Sequence, residues 1–147
     1  MTDSNIGKVL ELFISIKDKD RKMRDEILVD EDGILEDKFY AKNRERSILL
    51  TSNDSYRLAK DNDIEAQYGS LGENILIDIN PYHLVVGDKI IIGKLELIIT
   101  QNCTICNSLS KVDEKLPAIL KCDRGIFAKT LKSGKIRKGD EVKILKY

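Results

Sequence analysis

The chain predicts a mainly β protein, a closed or partly closed barrel of roughly six or seven short strands with one or two short helices. Three observations point there. Ile6, Leu10, Leu12, Ile14 and Ile16 share one parity, the period-two pattern of a half-buried strand. Gly-Asp precedes a β-rich run at both 87 and 139, the same turn chemistry used twice. Gly93-Lys94 separates the apolar runs 89–92 and 95–100, which reads as a hairpin. Closing such strands on themselves removes exposed sheet edges.

The elements follow in order. The first strand covers 6–16; Val9 and Phe13 fall on its other parity, so both faces are expected to be covered in part. The acidic stretch Asp30-Glu31-Asp32-Gly33 is a turn, and 47–51 is the next strand. Residues 53–60 begin with N-cap types and continue with helix-tolerant ones, so a short helix follows. From Gly69 onward strands and turns alternate. Residues 112–120 suit a helix that Pro117 limits or starts. Strands at 126–131 and 141–145 close the chain, joined across the basic stretch 133–140.

A length of 147 residues fits one domain spanning 1–147, able to bury roughly two thirds of its unfolded surface. The 25 basic and 25 acidic residues cancel, so no global field draws the chain to nucleic acid or an anionic membrane. The N-terminus lacks the pattern of a secretory leader, and no apolar run has the length of a membrane span. Three cysteines without such a leader read as reduced thiols, and the expected location is the cytoplasm.

Common catalytic signatures are missing. There is no nucleophile elbow, since Gly69-Ser70-Leu71-Gly72 has the wrong spacing, and no phosphate loop or dinucleotide fingerprint. What stands out is the apolar run 95–100, which leads through Gln101-Asn102 to Cys103 and Cys106. A strand holds a side chain in place and the segment past its end leaves it accessible. The plain alternative for any cysteine is a small buried hydrophobe. Cys103, Cys106 and Cys122 offer three thiolate ligands, but a closed zinc site needs a fourth, and the only histidine, His83, sits beside a turn. Zinc is therefore not the expected cofactor. The glycine-flanked loop 69–74 can hold a ligand's polar edge or simply cap its own backbone. Asp37 and Arg44 lie close in sequence and read first as a surface ion pair.

Taken in order, several blocks resemble the MOSC domain, the module named after the C-terminal part of molybdenum cofactor sulfurases. They are Gly72-Glu73-Asn74-Ile75, Gly87-Asp88 with Gly93, Thr100-Gln101 leading to Cys106, Gly125-Ile126-Phe127-Ala128 and Gly139-Asp140. The resemblance runs from Gly7 to residue 142, and its wording is most like the short stand-alone bacterial members. The family's characteristic cysteine falls on Cys106, with Leu109 at the apolar position after it. Its acidic residue falls on Asp37, its basic residue on Arg44, and its glutamate and asparagine on Glu73 and Asn74. Cys122 resembles a further cysteine of the short bacterial class. The chain departs from the pattern at Phe39, where a histidine is usual.

The resemblance implies a protein that binds the molybdenum cofactor, molybdopterin, or carries sulfur on Cys106. Cys106 would then be the reactive residue, as a persulfide or as a molybdenum ligand through sulfur. A working thiolate needs a nearby cation, for which Arg124 and Arg44 are candidates with Lys38 behind them. The same guanidinium groups could grip a pterin phosphate, while Asn74, Glu73 and Asp37 hold polar edges. The implied partners are a sulfur donor such as a cysteine desulfurase, or molybdenum cofactor biosynthesis proteins, and neither nucleic acid nor membrane. Two alternatives stand beside this reading. One is a cofactor-binding module without turnover. The other is a small molybdenum-dependent reductase of N-hydroxylated compounds, which would need separate electron donors because the chain has no flavin or iron–sulfur signature.

Overall fold

The computed structural model describes residues 6–16, 21–103, 113–120 and 124–146, with the side chains of 102 and 103 excepted. Its strands are β1 (Ile6–Ile14), β2 (Lys22–Arg24), β3 (Glu26–Asp30), β4 (Gly33–Ile34), β5 (Ile48–Ser52), β6 (Ile75–Ile77), β7 (Lys89–Ile92), β8 (Leu95–Cys103), β9 (Gly125–Lys132), β10 (Gly134–Arg137) and β11 (Glu141–Leu145). The helices are α1 (Asn53–Asp61) and α2 (Leu116–Leu120), with one 3-10 turn at Arg44–Arg46.

Seven strands close a barrel in the order β1-β11-β7-β8-β9-β5-β6, and β6 returns to β1. The expected mainly β barrel with two short helices is thus the fold. β2 extends the sheet beside the end of β1, and β10-β3-β4 form a small second sheet. Alternation supplies the core: β11 buries Val142 and Ile144, and β7 buries Ile90 and Ile92. β5 is buried at all five positions. Its Ile48 and Leu50 face the barrel core, and α1 covers its far end. A second apolar cluster, including Tyr56, Ala59, Leu71, Leu116 and Leu120, joins the two helices to the loop before β6. No helix among the described residues is long and apolar enough to cross a membrane.

β1 departs from the simple parity its sequence suggests. Ile6 is 43% exposed, whereas Val9 on the odd parity and Leu12 and Ile14 on the even parity are all in the core. The register against β6 shifts between Val9 and Glu11, and one extra residue there exchanges inward for outward. Phe13 is buried on the other face, as its parity suggests. The sequence reading also passed over β2, β3, β4, β6 and β10. β3 buries only Ile27 and Val29, and β10 only Ile136, which pairs with Ile27, whereas β6 is buried throughout but only three residues long. The stretch 133–140, read as a connection, therefore contains a strand. Lys135 and Arg137 reach Glu26 at 3.4 and 3.3 Å, and Lys138 reaches Glu11, so this basic stretch is a paired surface.

The helices start as their sequences suggest. Ser52 caps α1, its hydroxyl accepting from Asp54 N at 3.1 Å. In α2 Pro117 stands in the first turn, where a missing N–H costs nothing, and Asp113 Oδ1 accepts from Lys115 N. Residue 112, part of the expected helix, lies outside the described residues.

Gly7 marks the tightest approach in the barrel wall. A Cβ there would stand 1.9 Å from Ile79 Cγ2 and 2.5 Å from Asp78 Oδ1. Ile79 is buried and branched at Cβ, so it cannot rotate aside freely. Gly7→Ala should lower unfolding free energy by about 1–3 kcal/mol in urea denaturation. A change within error would mean that the 78–79 segment yields without cost.

Candidate functional site

The site grows out of the connection between two parallel neighbours, β5 and β6, which no tight turn can join. The chain leaves β5 through α1 and returns by the loop 69–74. Gly69 and Gly72 both have φ of +94°, a left-handed conformation that glycine adopts without strain. At Gly69 an added Cβ would meet the Phe13 ring at 2.8 Å. At Gly72 it would stand 3.0 Å from Arg124 Nη2 and 3.7 Å from Arg21 Nη2. The two glycines therefore let the loop lie against an aromatic ring on one side and a pair of guanidinium groups on the other.

Asn74 binds the loop to both flanking strands. Its backbone N–H donates to Leu49 O at 2.9 Å and its Oδ1 accepts from Leu49 N at 3.0 Å. Its backbone O accepts from Phe13 N at 2.8 Å, and its Nδ2 donates to Phe13 O at 3.3 Å and to Asp37 Oδ1 at 3.4 Å. Asp37 is buried as well. Its Oδ1 accepts from Ser15 N at 2.7 Å and its Oδ2 from Phe39 N at 3.1 Å, which fixes the turn after β4 against the end of β1.

Glu73 has no solvent exposure. Its Oε2 accepts from Tyr56 OH at 2.6 Å and Gly69 N at 3.0 Å, whereas its Oε1 has no hydrogen-bond partner among the described residues. Burial pushes the Glu73 carboxyl above its ordinary value, and the hydrogen bonds from Tyr56 and Gly69 with the nearby Arg21 charge only partly oppose this. Burial, followed by the Glu73 charge, likewise raises the Tyr56 phenol. Arg124 is buried and donates twice to Leu71 O, from Nε at 3.0 Å and Nη2 at 2.8 Å. Arg21 Nη1 donates to Glu73 O at 3.0 Å. Burial pushes the Arg21 guanidinium down, the Glu73 and Asp37 carboxylates push it up, and Arg124 adds to the lowering.

Of the residues expected from sequence, Asp37, Glu73, Asn74 and Arg124 gather around this loop. Arg44 does not pair with Asp37; its Nη2 lies 2.9 Å from Asp32 Oδ1 in an exposed ion pair, which further raises its already high pKa. Lys38 is exposed, its Nζ 5.0 Å from the centroid of the Phe39 ring. His83 is also exposed. Cys106 and Cys122 lie outside the described residues, as does the Cys103 side chain, but the Cys103 backbone pairs with Gly125, next to Arg124. Arg21 and Tyr56 were not singled out from sequence. Arg21 sits among charged residues at 17–26 with no local pattern to mark it, and Tyr56 resembles any apolar helix position. Among the described residues no cluster of three or more histidine, cysteine or acidic side chains is placed to hold a metal. Two surface depressions, of about 270 and 230 Å³, lie elsewhere, one over α1 near Asp54 and Tyr82 and one beside Ile91 and Lys143.

The Glu73 carboxyl gives a pH signature. A carboxyl raised by folding holds its proton more tightly folded than unfolded. Its stabilising contribution is full below the ordinary value of 4.5 and is lost as pH rises through the folded pKa. Glutamine keeps the shape and an acceptor for Tyr56 and Gly69 without the charge. Stability of Glu73→Gln relative to the native protein should therefore increase between pH 5 and pH 8 in denaturant titrations. An identical difference at the two pH values would refute the raised pKa.

Comparison with known proteins bears on the same residues. The MOSC domain family model matches residues 36–143. Among solved structures, the YuaD protein from Bacillus subtilis superposes with a TM-score of 0.83 at 20% identity, covering 97% of both chains. YiiM from Geobacillus stearothermophilus and YiiM from Escherichia coli each give a TM-score of 0.69 at 14% identity. These alignments cover 95% of this chain and 73% and 70% of the respective relatives. At such identities the likeness establishes the fold alone. No curated protein matches the chain significantly. The family match spans most of the barrel together with Asp37, Glu73, Asn74 and Arg124, and on it the chain belongs to the MOSC domain family.

Proposed function

We propose that this protein binds the molybdenum cofactor and carries sulfur on Cys106, in a site walled by the 69–74 loop and Arg124. The observation that carries the reading is the pairing of Cys103 with Gly125, which ends β8 beside Arg124. Cys106 follows three residues later, a span of at most about 11 Å of extended chain. A buried cation within such reach favours thiolate over thiol, the form that reacts with sulfur and ligates soft metals.

The residues present suit a pterin with an anionic group. Glu73 Oε1 is a buried acceptor without a partner among the described residues, and the lack of a Cβ at Gly72 lets the loop lie close to Arg124, whose Nη2 would stand 3.0 Å from such an atom. Arg124 would hold the phosphate and Glu73 an N–H edge of the ring, while Asp37 and Asn74 keep the wall in register. Lys38 and Arg44, both exposed, would meet the solvent-side part of the ligand. When bound, the cofactor supplies a redox-capable metal held through sulfur. For sulfur carriage, the Cys106 thiolate attacks the terminal sulfur of a donor persulfide, such as that of a cysteine desulfurase. A new S–S bond forms on Cys106, the donor's S–S bond breaks, and the donor leaves as its thiolate.

Anaerobically purified protein should carry molybdenum with pterin or an added mass of about 32 Da, one sulfur atom. Cys106→Ser should lose either species with the fold intact, because a hydroxyl neither holds sulfane sulfur nor suits molybdenum. Cys103→Ser should lose less. Loading kept in Cys106→Ser and lost in Cys103→Ser would move the reactive position.

Arg124 has its own test. Arg124→Gln removes the charge and keeps a donor for Leu71 O. Alkylation of Cys106, followed by peptide mass, should slow at pH 7 and be nearly unchanged at pH 9.5, where a thiol with pKa of about 8.5 ionises unaided. Equal rates at pH 7 would remove Arg124 from thiolate stabilisation.

A further inference from the structure

We infer that Tyr82 is a positioning residue for Arg124, its hydroxyl fixing the Arg124 main chain and so the place of the guanidinium, an inference that rests on the sulfur-carrier reading only for what Arg124 acts upon. The backbone ladder between β5 and β9 ends at the pair Leu50 and Ile126. Beyond it side-chain hydroxyls join the strands. Arg124 O accepts from Thr51 Oγ1 at 2.9 Å and from Tyr82 OH at 3.3 Å, one hydroxyl for each of its two lone pairs. Gly125 permits this close approach, since a Cβ there would stand 3.0 Å from Thr51 Oγ1 and 2.8 Å from Leu49 Cδ1.

Tyr82 comes from the turn 81–84, where its N–H donates to Asn80 Oδ1 at 2.8 Å and Leu84 N donates to Pro81 O at 3.0 Å. Its hydroxyl also reaches the start of α1, accepting from Ser52 N at 2.8 Å and meeting Ser55 Oγ at 2.5 Å. A phenol has one proton, so with that proton on Arg124 O the Ser55 hydroxyl is the donor of the pair. From there a closed circuit runs back to the same arginine. Tyr56 follows Ser55 in α1, and its OH accepts from Leu71 N at 3.3 Å. Leu71 O in turn accepts from Arg124 Nε and Nη2. Arg124 is thus held at its base through Tyr82 and at its tip through Leu71, with α1 as the frame between them. A long side chain tied at its tip alone can be reached from several main-chain positions. Tying the base selects one, and with it removes the rotamer freedom that would blur the place of the charge. Tyr82 itself is half-buried, lines the depression over α1 and belongs to neither apolar cluster, so its hydroxyl can be removed without repacking the core.

Tyr82→Phe keeps the ring and removes the hydroxyl. The direct readout is solvent exchange of the Arg124 Nε–H, followed by NMR on the full-length protein and assigned by its absence in Arg124→Gln. The bond to Leu71 O protects this proton. Tyr82→Phe should speed its exchange about two- to tenfold relative to the amide of Ile90 in the barrel core, the effect of losing one hydrogen bond. His83→Gln, exposed on the same turn, should leave the exchange unchanged. The role is overturned if exchange in Tyr82→Phe stays as it was, rises equally at Arg124 and Ile90, or rises as much in His83→Gln. The chemical consequence is read by alkylation of Cys106. Where Arg124→Gln slows it at pH 7, Tyr82→Phe should slow it by less, keep a near-native rate at pH 9.5, and add nothing in the double variant. No slowing, equal slowing at both pH values, or slowing that adds to that of Arg124→Gln overturns the role as well. If Arg124→Gln leaves alkylation unchanged, the thiolate reading fails, and exchange of the Nε–H alone decides what Tyr82 does.

Discussion

Asn74 is the clip on which the barrel closes. β6 has only three residues and must pair in parallel with β5 on one side and antiparallel with β1 on the other. Such a strand is too short to hold two seams by backbone alone. The Asn74 side chain is a primary amide with one acceptor and two donors, and it acts as a second peptide group at the strand's entry. It completes the ladder to Leu49 on one flank and to Phe13 on the other. Without it Leu49 N and Phe13 O would be buried unpaired, each costing about 1–3 kcal/mol. Aspartate could not substitute, since it has no donor for Phe13 O or Asp37.

The arginines solve a related problem on the loop's outer side. Residues 69–73 are not in a strand, so their carbonyls have no ladder to join. Arg124 takes Leu71 O with two donors, and Arg21 takes Glu73 O. Local structure and electrostatics thus share the same atoms. The loop is held in place by side chains that bring positive charge to it, and the glycine between those carbonyls keeps a side chain out of the space where the charges meet.

Legibility in the sequence followed the strength of the local signal. β7, β8, β9 and β11 have apolar residues enough for a two-residue period to show, and their pairing gave the barrel. β2, β3 and β10 owe their strand state to partners: Ile136 faces Ile27 and Met23 faces Phe13 across the sheet, information absent from a local window. At β1 the period was visible but its phase was not, because the shift between Val9 and Glu11 is set by β6. The site shows the same division. Glu73 and Asn74 stood out because two glycines, Gly69 and Gly72, lead into them. Arg124 was found beside the Gly125 block. Arg21 was invisible, since a basic residue among basic and acidic neighbours reads as solvated until the fold brings it to Gly72.

These facts separate the parts of the site by what each can give up. Both seam residues, Asp37 and Asn74, have their polar atoms bound to backbone groups, so changing either exposes a fault in the barrel itself. Glu73 is divided: Oε2 serves Tyr56 and Gly69, and Oε1 serves nothing among the described residues. Arg21 makes one hydrogen bond among the described residues, to Glu73 O. Substitution at Arg21 or at Glu73 Oε1 therefore leaves the hydrogen bonds of Asp37 and Asn74 that hold the wall in place. The barrel fixes the geometry of this loop by saturating its own hydrogen bonds, and Glu73 Oε1 is a polar atom that this saturation leaves unused among the described residues.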